Sequence, residues 1–176
     1  MIANHCRSEI QSINLPGGGL FSYTPHFCLI PETLYREKDQ DLWLNFLEEH
    51  ISRNQVIGVC HIEEDHCFLL HEKESDKHEE HCLSVLMKKS HTLEQANKIV
   101  ALVAEKTMCA VLYKNHILQL ANMFAVDSTE DILYYLMNLC EQLFTECQVP
   151  IYIANQDLAS DRKLTTYLNI HYLSLG

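Results

Sequence analysis

The chain has 176 residues, 47% of them apolar and 21% charged, a balance that suits one compact domain or two small lobes sharing an interface. Its formal net charge of −11, from 13 basic and 24 acidic residues, argues against a nucleic-acid or anionic-membrane partner, since both demand a basic surface. Five glycines and four prolines leave little room for a long low-complexity stretch, and the longest apolar runs, such as Ile99 to Ala104, are far too short to span a bilayer.

The N-terminus, Met1-Ile2-Ala3-Asn4-His5-Cys6-Arg7, has no basic patch followed by an apolar stretch, so no signal peptide is expected and the chain reads as cytoplasmic. Residues 1 to 26 carry little periodic signal. Pro16-Gly17-Gly18-Gly19 marks a turn or loop; a phosphate-binding loop would need a following Lys-Ser or Lys-Thr, and Leu20-Phe21 stands there instead. Phe27 to Ile30 reads as a strand and Pro31-Glu32-Thr33 as a turn or helix start. Asp39 to Ile51 is expected to be a helix, with Leu42, Trp43, Phe46 and Leu47 as its buried stripe. Gln55 to Ile62 and His66 to His71 read as paired strands around the charged turn Glu63-Glu64-Asp65. Glu72 to Glu80 reads as a solvated charge run, and Leu83 to Lys88 as a short helix.

The second half carries stronger signals. Lys98 to Ala104, Met108 to Tyr113 and Ile117 to Val126 form three successive apolar strands. A helix follows from about Ser128 to Cys147. Asp127-Ser128-Thr129-Glu130-Asp131 supplies its cap and first-turn acids, with a capping box between Ser128 and Asp131 or between Asp127 and Glu130. Ile132, Leu133, Leu136, Leu139, Cys140, Leu143, Phe144 and Cys147 recur at steps of three and four, so one broad face must bury against a sheet. Pro150 leads into a short returning strand, Ile151 to Ala154. Ser160 to Leu168 reads as a last helix, and Ile170 to Leu173 as an edge strand. A three-strand meander, a crossover helix and a returning strand, in that order, make the core of a ribonuclease-H-like, actin-like half-domain of mixed α/β class. The expected division is a first lobe at 1–90 and a second at 91–176.

The histidines and cysteines invite a metal reading. Six of the eleven histidines fall between His61 and His91, among them Cys60-His61, His66-Cys67, His71 and His78 to Cys82, with Cys60 and Cys67 placed to face each other across a hairpin. The spacing fits no known finger, His78-Glu79-Glu80-His81 is short of the H-E-x-x-H motif, and alternation puts Cys60 and His61 on opposite faces of a strand. No metal ligand is therefore assigned. The eight cysteines sit mostly in apolar periodic segments and read as reduced core thiols. No nucleophile elbow or protease signature surrounds any Cys, His or Asp, so no catalytic residue is assigned either.

His81-Cys82-Leu83-Ser84-Val85-Leu86, Val111-Leu112-Tyr113-Lys114-Asn115, Asp131-Ile132-Leu133-Tyr134-Tyr135-Leu136 and Pro150-Ile151-Tyr152-Ile153, taken in that order, resemble a Bacteroidetes domain-of-unknown-function family, number three-eight-two-two. That family is similar to the actin-like ATPase superfamily, near the pilus-assembly PilM and secretion GspL type of scaffold. The resemblance covers about residues 25 to 174 and is densest from 81 onward; order and spacing carry it, since no single motif is specific. It implies an opening strand hairpin with a first phosphate loop, after which this chain starts, so the first lobe is expected to be incomplete. It also implies a second phosphate loop, an acidic residue and a glycine ending in Thr. The matching positions are Ala104-Glu105-Lys106-Thr107, where no glycine lets a backbone approach a phosphate. The adenosine-binding strand end, usually glycine-rich, corresponds to Ala154-Asn155-Gln156-Asp157. The expectation is a non-catalytic actin-like scaffold or regulatory protein without a cofactor, working through a protein partner or by self-association. The alternatives are an ATP-binding member of the superfamily, using Glu105, Lys106 and Thr107, and a metal-binding protein using segment 60–82.

Overall fold

The computed structural model describes residues 11–14, 20–39, 42–43, 56–73, 80–104, 106–143 and 148–175. The chain divides into two compact units, Met1–Ser84 and Val85–Gly176.

In the first unit, β1 (Gln11–Asn14), β2 (Leu20–Tyr23), β3 (Phe27–Pro31), β4 (Val56–Ile62), β5 (Cys67–Lys73) and β6 (Glu80–His81) make two three-stranded sheets. The order β3-β5-β4 is antiparallel throughout; in β1-β2-β6 the two-residue β6 joins β2 in parallel. β4 and β5 turn through the 3-10 segment Glu63–Asp65, and His66 closes the turn in the left-handed region at φ 49°. β1 and β2 lie in the stretch that showed little periodic signal. Two other expectations, the solvation of Glu72 and Lys73 and the burial of Leu42, need correcting. Glu72 and Lys73 are not part of a solvated run: they belong to β5, and Glu72 is only 2% exposed. The helix expected over 39–51 falls mostly outside the described residues, and Leu42 of its buried stripe is 62% exposed.

α1 (Cys82–His91) runs across the division at Ser84 and Val85. The second unit then follows the expected order: β7 (Lys98–Ala104), β8 (Thr107–Lys114), β9 (Ile117–Ala125), α2 (Thr129–Leu143), β10 (Ile151–Ile153), α3 (Gln156–Ala159), α4 (Arg162–Tyr167) and β11 (Ile170–Tyr172). The sheet order is β11-β10-β7-β8-β9, with β7, β8 and β9 antiparallel and β10 parallel to both β7 and β11. The turn from β8 to β9 places Asn115 (φ 53°) and His116 (φ 63°) in the left-handed region, which matches the twist of a tight hairpin. The last helix, expected at 160–168, is Arg162–Tyr167; Asp161 caps it, its carboxylate accepting the Lys163 N–H at 2.7 Å, and the short α3 precedes it.

α2 lays Ile132, Leu136, Leu139 and Cys140 onto Ile99, Ala101, Met108, Ala110 and Leu112 of β7 and β8, and Phe124 of β9 meets Tyr135 with ring centroids 4.8 Å apart. Residues 144–147 of the expected helix lie outside the described residues. Leu136 is fully buried in this cluster. Leu136→Ala is expected to lower unfolding stability by about 2–5 kcal/mol in denaturant melts; a near-neutral effect would show that this face is not the buried one.

Candidate functional site

The second unit holds an open cleft of about 400 Å³ where three chain ends converge: Val103 and Ala104 leaving β7, Asp127 to Thr129 entering α2, and Asn155 to Leu158 after β10. Strand ends and helix starts gather on this side because β7 and β10 run parallel, and such convergence is where open α/β sheets usually hold ligands. Of the nucleotide candidates, Glu105 lies outside the described residues. Thr107 begins β8, in register with Ala104 and Ala125. Lys106 is pinned twice: its carbonyl accepts the Val126 N–H at 2.9 Å, and its ammonium lies 3.1 Å from the Asp127 carboxylate. Both side chains of that ion pair are exposed, so its value is steering rather than stability.

The start of α2 is equally occupied. Ser128 Oγ accepts the Asp131 N–H at 3.2 Å, and Asp131 Oδ2 accepts the backbone N–H groups of Asp127 (2.9 Å) and Ser128 (3.0 Å) and the Ser128 hydroxyl (3.0 Å). This is the Ser128–Asp131 capping box expected from the sequence. The Asp127 N–H leads the interactions that hold the Asp131 carboxyl below its ordinary value, followed by the Ser128 hydroxyl. Glu130 in turn pairs with Lys163 of α4. Helix-start N–H groups are the usual donors to a phosphate, and here those of Asp127, Ser128 and Asp131 are already taken.

Asn155 is also spent on structure. Its Oδ1 accepts the N–H groups of Asp157 (3.1 Å) and Leu158 (3.2 Å), capping α3, while its amide donates to the Val103 carbonyl at 3.4 Å and ties the end of β10 to that of β7. The described residues lining the cleft therefore present two carboxylates (Asp127 and Asp157), two hydroxyls (Ser128 and Thr129) and an apolar floor, with no cation among them.

The described residues of the His/Cys segment in the first unit do not converge as a cluster; His78 and Glu79 lie outside the described residues. Cys60 pairs in register with Leu69 and Cys67 with Ile62, so the two thiols do not face each other across the hairpin. Burial pushes the Cys67 thiol up to about 11. His61 and His66 each reach the Glu32 carboxylate, at 3.5 and 3.4 Å, and the His61 ring stacks on Phe68. Among the described residues, no three His, Cys, Asp or Glu side chains gather as a metal-holding group. His71 points the other way, into the unit, where its ring fills the space a Cβ at Gly58 would need. Among the described residues no cysteine is in a disulfide, and Cys67, Cys82, Cys109 and Cys140 are buried.

Two buried ionisable groups were invisible to sequence reasoning. Glu72 Oε2 takes His26 Nδ1 (3.1 Å) and the Thr24 hydroxyl (3.3 Å), while its buried Oε1 has no hydrogen-bond partner among the described residues. Lys98 is 2% exposed; its ammonium donates to the Leu93 carbonyl at 2.9 Å and lies over the Tyr113 ring. In both, the compensating partner is far along the chain or in an irregular loop, where no local pattern announces it.

Residues 20–171 match the model of a family described as "Protein of unknown function (DUF3822)". A crystal structure from Bacteroides thetaiotaomicron VPI-5482, described as a protein with actin-like ATPase fold and unknown function, is similar with a TM-score of 0.65 at 16% identity. The similarity covers 85% of this chain and 65% of that one, so this chain spans less than two thirds of that structure's length. At this identity the likeness shows the fold, which is actin-like. No curated protein matches the chain.

Because Ser128 carries the first turn of α2, Ser128→Ala is expected to lower stability by about 1 kcal/mol and to speed amide exchange at Asp131. Unchanged exchange there would rule out the cap.

Proposed function

The chain belongs to DUF3822, a family of proteins of unknown function, and from that premise we propose that it is a non-catalytic scaffold or regulatory protein of the cytoplasm, working through a protein partner or by self-association. The observation that carries this reading is the charge of the cleft. A nucleotide brings several negative charges, and phosphoryl chemistry relies on backbone N–H cradles, cations and a metal-holding carboxylate. Among the described residues, Asp127 and Asp157 line the space with no cation or glycine in the lining, Lys106 lies next to Asp127 in an exposed ion pair, and the capping box occupies the N–H groups of Asp127, Ser128 and Asp131. Like charges brought close in a cleft repel unless a metal intervenes. Exposed aromatic side chains on the second unit, Tyr134 on α2, Tyr167 on α4 and Tyr172 on β11, suit a protein-contact role.

The competing reading, an ATP-binding member of the actin-like group, draws on the position of the cleft at the ends of β7 and β10 and assigns the nucleotide contacts to Glu105, Lys106 and Thr107. A thermal-shift scan separates the two, because a ligand that binds only the native state must raise the melting temperature. ATP and ADP with magnesium are expected to leave Tm unchanged, and zinc likewise. A saturable rise with Mg-ATP would favour the nucleotide reading, and one with zinc would favour a metal-binding protein.

A further inference from the structure

Strand β6 is two residues long, and its second residue, His81, is fully buried immediately before α1. Both ring nitrogens are committed to backbone groups whose roles admit no choice. Nε2 lies 3.2 Å from the Thr24 carbonyl, which can only accept; Nδ1 lies 3.3 Å from the Leu83 N–H, which can only donate. The proton therefore sits on Nε2 and the lone pair on Nδ1. Leu83 is the second residue of α1, so the imidazole fills the N-cap place usually taken by Ser, Asp or Asn.

We propose that His81 is a proton-sensitive cap: uptake of one proton at Nδ1 turns the acceptor that holds Leu83 into a donor, and the first turn of α1 and strand β6 come free together. No covalent bond other than that N–H is made. In the closed arrangement an imidazolium would face the Leu83 N–H and the positive end of α1. It would also face His71 of β5, whose ring centre is 4.8 Å away and whose Nδ1–H donates to the Glu72 carbonyl at 3.0 Å. Phe27 of β3 approaches on another side, with ring centroids 5.8 Å apart. Among the described residues the remaining charged neighbours are Lys73, next on β5, Glu72, whose Oε2 is engaged with His26 and Thr24, and the adjacent Glu80, which takes the Ser84 hydroxyl at 3.3 Å; the His81 ring nitrogens are bonded to backbone groups rather than to either carboxylate. Burial accordingly pushes His81 down to about 3 and lowers His71 as well. An opened segment binds the proton at the ordinary histidine value, near 6.5. The open form then binds more protons than the closed one, so opening becomes more favourable as pH falls below about 6.5, by about tenfold per pH unit for one proton. The two-residue β6 offers few backbone bonds to resist it, and local opening costs less than global unfolding.

The test is amide hydrogen exchange on the whole chain between pH 7.5 and 5, corrected for intrinsic rates, with the native protein and His81→Asn. Asn keeps a capping oxygen and does not titrate. In the native protein, protection at Leu83 to Val85 is expected to fall about tenfold per pH unit below 6.5, while β7 and β8 keep theirs; in His81→Asn the profile should be flat. Constant protection in the native protein, or an equally steep loss in the variant, overturns the proposal. Should the variant fail to fold, the His81 Cε1–H resonance of the native protein decides. It is expected to hold its neutral shift in the folded species down to pH 5, and titration near 6.5 with Leu83 still protected would refute the cap.

Discussion

From Lys98 to Val103 and from Met108 to Tyr113 every side chain is withdrawn from water, on both faces of the sheet at once. Strands of this kind cannot sit at a surface, and they read in sequence as continuous apolar runs rather than as alternations. Much of the second unit follows from that demand. α2 covers the face formed by Ile99, Ala101, Met108, Ala110 and Leu112, and its apolar stripe is as broad as that face requires. On the opposite face Tyr113 turns its ring edge to His91, 5.3 Å away, and supports the Lys98 ammonium. β10 and β11 extend the sheet beyond β7 in parallel, which sets Asn155 against Val103 and creates the cleft.

Cations are scarce in a chain with 13 basic and 24 acidic residues, and those around the cleft are already employed. Lys106 answers Asp127 and Lys163 answers Glu130, while Lys98, at the opposite end of β7 from the cleft, is drawn inside to the Leu93 carbonyl. The polar atoms of Ser128, Asp131 and Asn155 likewise terminate helices. An actin-like frame can thus keep its shape while side chains near the cleft are turned to local structural work, and the proposed scaffold role is consistent with that use. The fold itself is no argument for or against an activity.

The second unit was largely legible in the sequence because its elements are long, periodic and locally consistent: the runs 98–104 and 108–113, the stripe of α2 and the Ser128–Asp131 box each signal alone. The first unit was legible only at β3, β4 and β5. β1 and β2 are four residues each, too short for a period to show, and β6 is defined by its pairing with Phe21 and Ser22 rather than by its own composition. Glu72 stood beside a charge run and looked solvated; what makes it internal is a partner 46 positions away, His26. The cleft was half legible. Its loop was recognisable as lacking glycine, whereas the pairing of Lys106 with Asp127 is a contact in space between the start of β8 and the start of α2. Asn155 reads in the sequence as part of a strand end, although an Asn just before a short helix is itself a cap signal.

The claim that this cleft is closed to phosphate is tested most directly by calorimetric titration of the whole chain with Mg-ATP, alongside a Thr107→Ala variant. The account predicts no saturable heat in either protein. Low-micromolar affinity in the native chain, abolished by the Thr107 substitution, would show a working nucleotide site and contradict the scaffold reading.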